Sequence, residues 1–317
     1  SSEELAGIMY DTLQNKILPL PDDLIIYPAH GPGSSCGKNL GPNTFSTLAE
    51  EKANNYTLQN QTKEDFIKAV IDGLQAAPRY FAINANINQQ GYEGIAEIIK
   101  NGTTKIDLAK FKELITGDVI LLDTRHASEF TEGFIPGSIF IGLEGRFAEW
   151  AGNLLSFEKP IYLVTEKGKE EETVTRLARV GFSKMAGYLK GGFEAWQKAG
   201  EKVDLIINVE SDEMAMDIPH DENLVVLDVR NEMEHGNGHV KDAVNLPLSQ
   251  LTDLAMLAGF EENQNLYIHC AGGYRSVIAA SLFKKQGTHN LRNGVGCWGK
   301  IKEEPTIKIE QDSEVLN

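Results

Sequence analysis

The residues best suited to chemistry lie in one loop, Cys270 to Ser276, which reads Cys-Ala-Gly-Gly-Tyr-Arg-Ser. Residues 266–269 before the loop predict a buried strand, and residues 277–285 after it predict a helix. Backbone N–H groups in such a loop point inward, and the helix adds the positive end of its dipole. Because this environment lowers the pKa of a thiol, Cys270 is predicted to be a thiolate nucleophile.

The rest of the loop is predicted to bind a small anion beside the thiolate. Adjacent glycines let the chain curl tightly, so that its amides form a nest around one sulfur atom. Arg275 adds a fixed positive charge that suits an anionic donor such as thiosulfate. A buried structural cysteine in a glycine-rich turn is the alternative for this loop taken alone. The predicted binding residues are Ala271, Gly272, Gly273, Tyr274 and Ser276.

An internal repeat sets the domain organisation. Residues 119–125 resemble residues 224–230, and residues 161–165 resemble residues 266–270, both at a spacing of 105. Further along, Gly192 and Trp196 are matched with Gly294 and Trp298 at a spacing of 102. The repeat predicts two copies of one α/β domain of about a hundred residues each. Its nearly all-apolar strands predict parallel sheets flanked by helices, with sites at the carboxyl ends of the strands.

The second copy resembles the rhodanese family in three places. Asp228-Val229-Arg230 matches the family's Asp-x-Arg, residues 238–247 match its Gly-His-Ile-x-Gly-Ala-x-Asn-Ile-Pro stretch, and residues 294–298 are a modified form of its Gly-Gly-x-x-x-Trp ending. Lys241-Asp242 departs from the usual small turn residues, away from the thiol loop.

The resemblance implies a sulfurtransferase. Cys270 would take sulfane sulfur from thiosulfate or a low-molecular-weight persulfide and pass it to a thiol or cyanide. Arg275 would be its catalytic partner, and Asp228 and Arg230 would have supporting roles.

Two other functions fit parts of the same pattern. Cysteine phosphatases of related fold have five residues between cysteine and arginine, whereas Cys270 and Arg275 are separated by four, so their loop suits one sulfur atom better than a phosphate. Alternatively, both copies are non-catalytic scaffold or interaction modules of a metal-dependent hydrolase. Retention of the cysteine and arginine in one copy argues against that alternative.

The first copy lacks the corresponding chemistry. Thr165 occupies the position of Cys270, and Glu170 occupies that of Arg275. A threonine hydroxyl without an activating base is a poor nucleophile, and the carboxylates of Glu166 and Glu170 oppose an anion. The first copy is therefore predicted to be an inactive rhodanese-like module that serves packing, spacing or partner contact.

The start of the chain resembles a different family. Residues 27–37, Tyr-Pro-Ala-His-Gly-Pro-Gly-Ser-Ser-Cys-Gly, are similar to the last metal-site strand and loop of metallo-β-lactamase-fold proteins, especially those fused to rhodanese domains, which include persulfide dioxygenases. The chain is accordingly expected to be the C-terminal portion of such a fusion, linked to persulfide oxidation. The resemblance makes His30 a metal-site residue, but only where upstream ligands are present. No cofactor is expected in this chain, and iron or zinc is expected in its parent. Cys36 would carry sulfur or be structural.

Composition narrows the remaining possibilities. A net charge of −16 argues against nucleic acid or an anionic membrane as partner, and no apolar run approaches the ~20 residues of a membrane span. Three cysteines, Cys36, Cys270 and Cys297, do not make a disulfide framework and suit a reducing cytoplasm. A homo-oligomer is compatible with the sequence.

The expected domain boundaries follow from the repeat. The metallo-β-lactamase-like piece is expected at 1–85, a polar connector at 86–104, the inactive domain at 105–204 and the active domain at 205–317. Within the first piece, an amphipathic helix is expected over residues 64–77, ended by Pro78.

Overall fold

The computed structural model describes residues 1–28, 43–59, 61–72, 78–91, 94–252, 254–257 and 259–312. The chain divides into two compact units, residues 1–77 and residues 78–317. Among the described residues, no helix combines the length and the apolar character that crossing a membrane requires.

The first unit is mainly helical. Helix α1 (Ser2–Thr12) packs on α3 (Lys63–Ile71), and the ring of Tyr10 meets buried Phe66 edge to face at 5.3 Å. Strands β1 (Ile25–Ile26) and β2 (Ser46–Thr47) pair antiparallel, and α2 (Leu48–Asn54) follows. The helix expected over residues 64–77 is therefore present but ends at Ile71, and residues 73–77 lie outside the described part of the chain.

The first half of the second unit contains a parallel sheet of five strands. The strands are β3 (Lys105–Ile106), β4 (Ile120–Asp123), β5 (Ile139–Phe140), β6 (Ile161–Val164) and β7 (Met185–Leu189). Their spatial order is β3-β7-β6-β4-β5, and the inner strands β4 and β6 are buried along their whole length. The helices are α4 (Arg79–Gln90), α5 (Ile95–Gly102), α6 (Leu108–Leu114), α7 (Ala127–Glu132), α8 (Phe147–Leu154), α9 (Glu170–Val180) and α10 (Gly192–Lys198).

The second half repeats this design. The strands are β8 (Ile207–Val209), β9 (Leu224–Asp228), β10 (His239–Val240), β11 (Val244–Asn245), β12 (Asn265–His269), β13 (Leu291–Gly294) and β14 (Ile309–Glu310). Five of them form a parallel sheet in the order β11-β9-β12-β13-β8, which is the order of the first sheet read from the other edge. The other two, β10 and β14, pair antiparallel. The helices are α11 (Ser211–Asp217), α12 (Glu232–Gly236), α13 (Leu254–Leu257), α14 (Tyr274–Lys285) and α15 (Cys297–Ile301). The predicted tandem of parallel α/β domains is confirmed.

The segment over residues 86–104, expected to be a polar connector, contains a helix. Helix α5 lies within it and packs against α9 and β7, with Ile98 buried. A Cβ atom at Gly102 would lie 2.7 Å from Val174, so the helix approaches α9 closely. Ile98 is buried and Ile99 is partly buried against the core, and packing of these two residues outweighs the polar composition of the segment, whereas Ile95 remains exposed. The expected boundary at residue 85 also falls inside α4, whereas the two units separate at residue 77.

Helix α14 joins the two repeated domains. It contacts β12 and β13 of its own domain and β5 of the first, and residues 276–283 are all buried. Strand β5 is an edge strand, and its Phe140 N–H donates to Ser281 Oγ at 3.0 Å, so the helix satisfies a backbone donor on that edge. Lys284 adds an ion pair with Asp204 at 3.0 Å. The helix that begins at the thiol loop is thus held by both domains.

Candidate active site

Cys270 lies at the carboxyl end of β12, directly before the turn that starts α14. Gly273 has φ +82° at the helix N-cap, and its N–H donates to Cys270 Sγ at 3.1 Å. Ser276 Oγ lies 3.5 Å from the same sulfur atom. The left-handed glycine lets the chain turn back so that its amide faces the thiol, as the sequence predicts for a nest around Cys270.

A second thiol lies beside the first. Cys297 hydrogen-bonds through its side chain to Cys270, and this contact, followed by those from Ser276 and the loop amide of Gly272, lowers the pKa of the Cys270 thiol to about 5 against the opposing effect of burial. The same hydrogen bond, together with burial, raises the pKa of the Cys297 thiol. The opposite shifts of the two pKa values favour the thiolate on Cys270 and the protonated thiol on Cys297.

Arg275 lies in the loop but binds a carboxylate of its own protein. Its two terminal nitrogens donate to the Glu234 carboxylate at 2.7 and 2.8 Å. This bidentate pair, half-buried, lowers the pKa of Glu234. The positive charge of Arg275, which the sequence predicts to hold an anionic donor, is thus neutralised by Glu234 on α12.

Asp228 and Arg230 are buried below the loop. Arg230 Nε donates to both Asp228 oxygens at 2.9 and 3.0 Å, and its Nη2 donates to the Gly238 carbonyl at 2.7 Å. Burial alone would raise the pKa of Asp228, but the hydrogen bonds from Arg230 and His235 help to lower it to about 2. The guanidinium stacks 4.1 Å from the Trp298 ring, so this pair positions the residue that follows Cys297.

The thiol opens into a cleft of about 680 Å³ between the two domains. Tyr274 on the loop donates its hydroxyl to the Gly142 carbonyl of the first domain at 2.6 Å. The walls from the second domain include Glu234, Cys270, Gly273 and Arg275, and those from the first include His126, Phe140, Glu144, Arg146 and Trp150. The first copy therefore forms one wall of the site.

The corresponding loop of the first copy retains the backbone but not the chemistry. Gly168 has φ +87° and lies 105 positions before Gly273, so the same left-handed turn is present. Thr165 is buried at the position of the thiol. Glu129 and Glu170 line one pocket there, where the second copy pairs Glu234 with Arg275.

The structure corrects the repeat near the end of each copy. Arg125 stacks 4.1 Å from the ring of Phe193, as Arg230 does on Trp298. Two successive left-handed residues precede each ring: Gly191 and Gly192 with φ +82° and +58°, and Gly296 and Cys297 with φ +79° and +63°. The spacing is therefore 105 here as well, and the match of Gly192 and Trp196 to Gly294 and Trp298 is wrong. The sequence match rested on identical glycine and tryptophan residues. The structural equivalence rests on the arginine, which stacks on Phe193 in the first copy and on Trp298 in the second, because any aromatic ring can serve.

Sequence reasoning missed three parts of the site: Cys297, Glu234 and the wall from the first domain. In the sequence, Glu234 lies 105 residues after Glu129, which is the repeat spacing, and Cys297 is one of three cysteines, but neither pattern marks a site residue. His30 and Cys36, assigned to a metal site and to sulfur transfer or structure, lie outside the described residues. Within the described ranges, no group of three or more histidine, cysteine, aspartate or glutamate side chains could hold a metal ion.

The comparisons with known proteins agree with this geometry. The family described as Rhodanese-like domain matches residues 107–199 and 211–304, together more than half of the chain. The putative sulfur carrier protein YrkF of Bacillus subtilis is 32% identical over 106 residues, which cover 33% of this chain and 54% of that protein. A putative mitochondrial thiosulfate sulfurtransferase of Schizosaccharomyces pombe is 28% identical over 89 residues, covering 25% of this chain and 63% of that protein.

A solved structure of a metallo-β-lactamase from Staphylococcus aureus is 29% identical and covers 58% of this chain and 50% of that one, with a TM-score of 0.44. The chain thus spans about half the length of the first of these relatives and of this structure. Both repeated domains carry the family match, and the thiol loop lies within the second matched region. The chain belongs to the rhodanese-like family, whose members similar to it include sulfurtransferases.

Proposed function

We propose that the chain transfers sulfane sulfur through a persulfide on Cys270. The thiolate attacks the outer sulfur of thiosulfate or of a low-molecular-weight persulfide, and that sulfur's bond to the donor breaks. Sulfite or a thiolate leaves, and a thiol or cyanide then removes the sulfur from Cys270. The observation that carries the proposal is the Gly273 N–H, which points at Cys270 Sγ from 3.1 Å.

The loop also suits the charged intermediate. A persulfide's outer sulfur carries negative charge near the loop amides at the start of α14, and fixed N–H donors need no rearrangement to stabilise it. The cleft of about 680 Å³ has room for a small donor or acceptor, and its walls come from both domains.

Between the two donor classes, the charges favour a low-molecular-weight persulfide. Arg275 is already bound to Glu234, and the carboxylates of Glu144 and Glu166 also line the cleft. A dianion such as thiosulfate would therefore approach a loop whose cation is neutralised. Thiosulfate remains a usable test donor because it delivers the same sulfane sulfur.

The proposal extends to the parent protein by resemblance. Residues 27–37 support a link to persulfide oxidation in a fusion with a metallo-β-lactamase-fold domain that holds iron or zinc. The neighbouring free thiols of Cys270 and Cys297 support a reducing compartment such as the cytoplasm. A scaffold role without catalysis is the alternative function.

The test is sulfur loading followed by intact mass. The Cys297→Ser variant, which prevents reaction between the two neighbouring thiols, should gain about 32 Da with a persulfide or thiosulfate donor and lose that mass to cyanide. Adding Cys270→Ser should abolish the gain, because no other described thiol faces the cleft. Adding Thr165→Val instead, at the matching position of the first copy, should leave loading intact. Equal loading with and without Cys270 would refute the proposal and favour the scaffold.

A further inference from the structure

Cys297 is held against Cys270 from two directions. The Trp298 N–H donates to the Cys270 carbonyl at 3.0 Å, which ties the backbone next to Cys297 to the thiol loop. Both sulfur atoms also flank Gly273: its N–H contacts Cys270 Sγ, and a Cβ atom built on it would lie 3.3 Å from Cys297 Sγ. Because any side chain at Gly273 would press on Cys297, the loop leaves room for a second sulfur atom beside the nucleophile.

The backbone of Cys297 is unfavourable for any residue except glycine. It has φ +63°, and the only other described residue that is not glycine and has a positive φ is Asp242, in an exposed turn. At the matching position of the first copy stands Gly192, with φ +58°. Only the copy with the nucleophile places a side chain there, and that side chain is a thiol. Strain of this kind persists where the surrounding structure enforces it, and it concentrates at functional sites.

We propose that Cys297 is a resolving thiol that discharges the Cys270 persulfide as hydrogen sulfide. This inference rests on the proposed function. Cys297 Sγ attacks the inner sulfur, Cys270 Sγ, and passes its proton to the outer sulfur. The bond between inner and outer sulfur breaks, and a bond between the two cysteine sulfurs forms. The persulfide anion and the thiol thus become a disulfide and HS⁻, with the outer sulfur reduced by two electrons and the two cysteine sulfurs oxidised.

The persulfide then has two outlets. An acceptor thiol that enters the cleft takes the sulfur by transfer, whereas without an acceptor Cys297 releases it as sulfide. Cys297 is buried and is not among the residues that line the cleft. It therefore reaches Cys270 from the protein interior and does not contact an acceptor in the cleft. The resulting disulfide returns to the dithiol when an external dithiol reductant attacks through the cleft, and the cycle restarts.

The test is anaerobic loading of the reduced protein with one equivalent of persulfide or thiosulfate and no acceptor. The parent should release about one sulfide per chain and end about 2 Da lighter than the reduced protein. Cys297→Ser, which keeps a hydrogen-bond donor, should hold the added sulfur, about 32 Da, and release sulfide at least about tenfold more slowly. Cys297→Gly, which copies the first domain and relieves the backbone, should behave in the same way. Tryptic mapping of the parent should show Cys270 joined to Cys297.

The outcomes separate this inference from the proposed function. A parent that keeps the added sulfur without releasing sulfide would overturn the resolving role and leave sulfur transfer standing. Failure of parent and both Cys297 variants to take up or release any sulfur would overturn the transfer itself. Sulfide release from Cys297→Gly as fast as from the parent would show that another group discharges the persulfide.

Discussion

The two copies have the same loop backbone but opposite chemistry. Gly168 and Gly273 adopt the same left-handed conformation at the same place in the repeat, yet Thr165 stands where Cys270 does. A strand, a tight turn and a helix are therefore enough to preserve the loop's shape without its thiol. The fold maintains the nest, and the side chains decide whether it holds a nucleophile.

Charge distinguishes the copies as clearly as the thiol does. In the second copy Glu234 binds Arg275, whereas in the first the matching Glu129 shares a pocket with Glu170. An unpaired carboxylate beside a thiol would raise its pKa, while a paired one changes it little. The second copy thus combines a neutralised carboxylate with a second thiol, Cys297, where the first copy has Gly192.

The surroundings of the two loops also differ. Helix α9 of the first copy is partly exposed, whereas α14 of the second is buried from residue 276 to residue 283 between the domains. The first copy therefore contributes a wall of the cleft, a hydrogen bond to Tyr274 and a support for α14. Through these contacts, the copy without a thiol helps to build the site of the second copy.

The largest expected effect concerns the buried aspartate–arginine pair that both copies contain. Replacing Asp123 or Asp228 by asparagine leaves a buried arginine unpaired, and we expect each change to lower the free energy of unfolding by about 3–5 kcal/mol. Asp228→Asn should cost more, because His235 also hydrogen-bonds to Asp228. Denaturant unfolding measures both. Asp118→Asn, in an exposed pair with Lys159, is the control and should cost less than about 1 kcal/mol. Equal, small losses at all three sites would show that the buried pairs are not structural.

The second effect compares thiols in the two loops. As pH falls through about 5, Cys270 should protonate and its alkylation by iodoacetamide should fade, while the rate stays nearly constant from pH 6 to 7. A cysteine introduced by Thr165→Cys should titrate at or above the ordinary value of ~8.5, because Glu166 and Glu170 disfavour its thiolate. Mass-resolved labelling of the two peptides gives both profiles. Coinciding midpoints would mean that the loop backbone alone sets the thiol pKa.

The smallest effect concerns the carboxylate–arginine pair. Arg275→Ala should slow sulfur uptake by a factor equivalent to about 1.5–3 kcal/mol, because Glu234 is left unpaired near the thiolate. Adding Glu234→Gln should restore most of the rate. Arg146→Ala, an exposed arginine of the same cleft, is the control. If the double variant stays slow with the dianion thiosulfate but recovers with a low-molecular-weight persulfide that carries less negative charge, Arg275 binds the thiosulfate anion directly.

Most of the fold could be predicted from the sequence because its signals are local. Apolar strands such as 161–164 and 266–269 indicate buried parallel sheets, and the repeat spacing of 105 places the loops in matching positions. Errors arose where a local signal was weak or misleading. The short apolar stripe of α5 was hidden in polar sequence, and a shared tryptophan shifted the repeat register by three residues.

By itself, the sequence determined the tandem parallel domains, the thiol loop and the loss of the thiol from the first copy, since each depends on residues that are neighbours in the chain. Only the tertiary structure decided which distant groups meet that loop. Glu234 lies 41 residues from Arg275, Gly142 lies 132 residues from Tyr274, and Cys297 follows a different strand from Cys270. These contacts exist because parallel strands bring their carboxyl ends to one edge and because α14 packs between two domains, and neither arrangement leaves a local pattern in the chain.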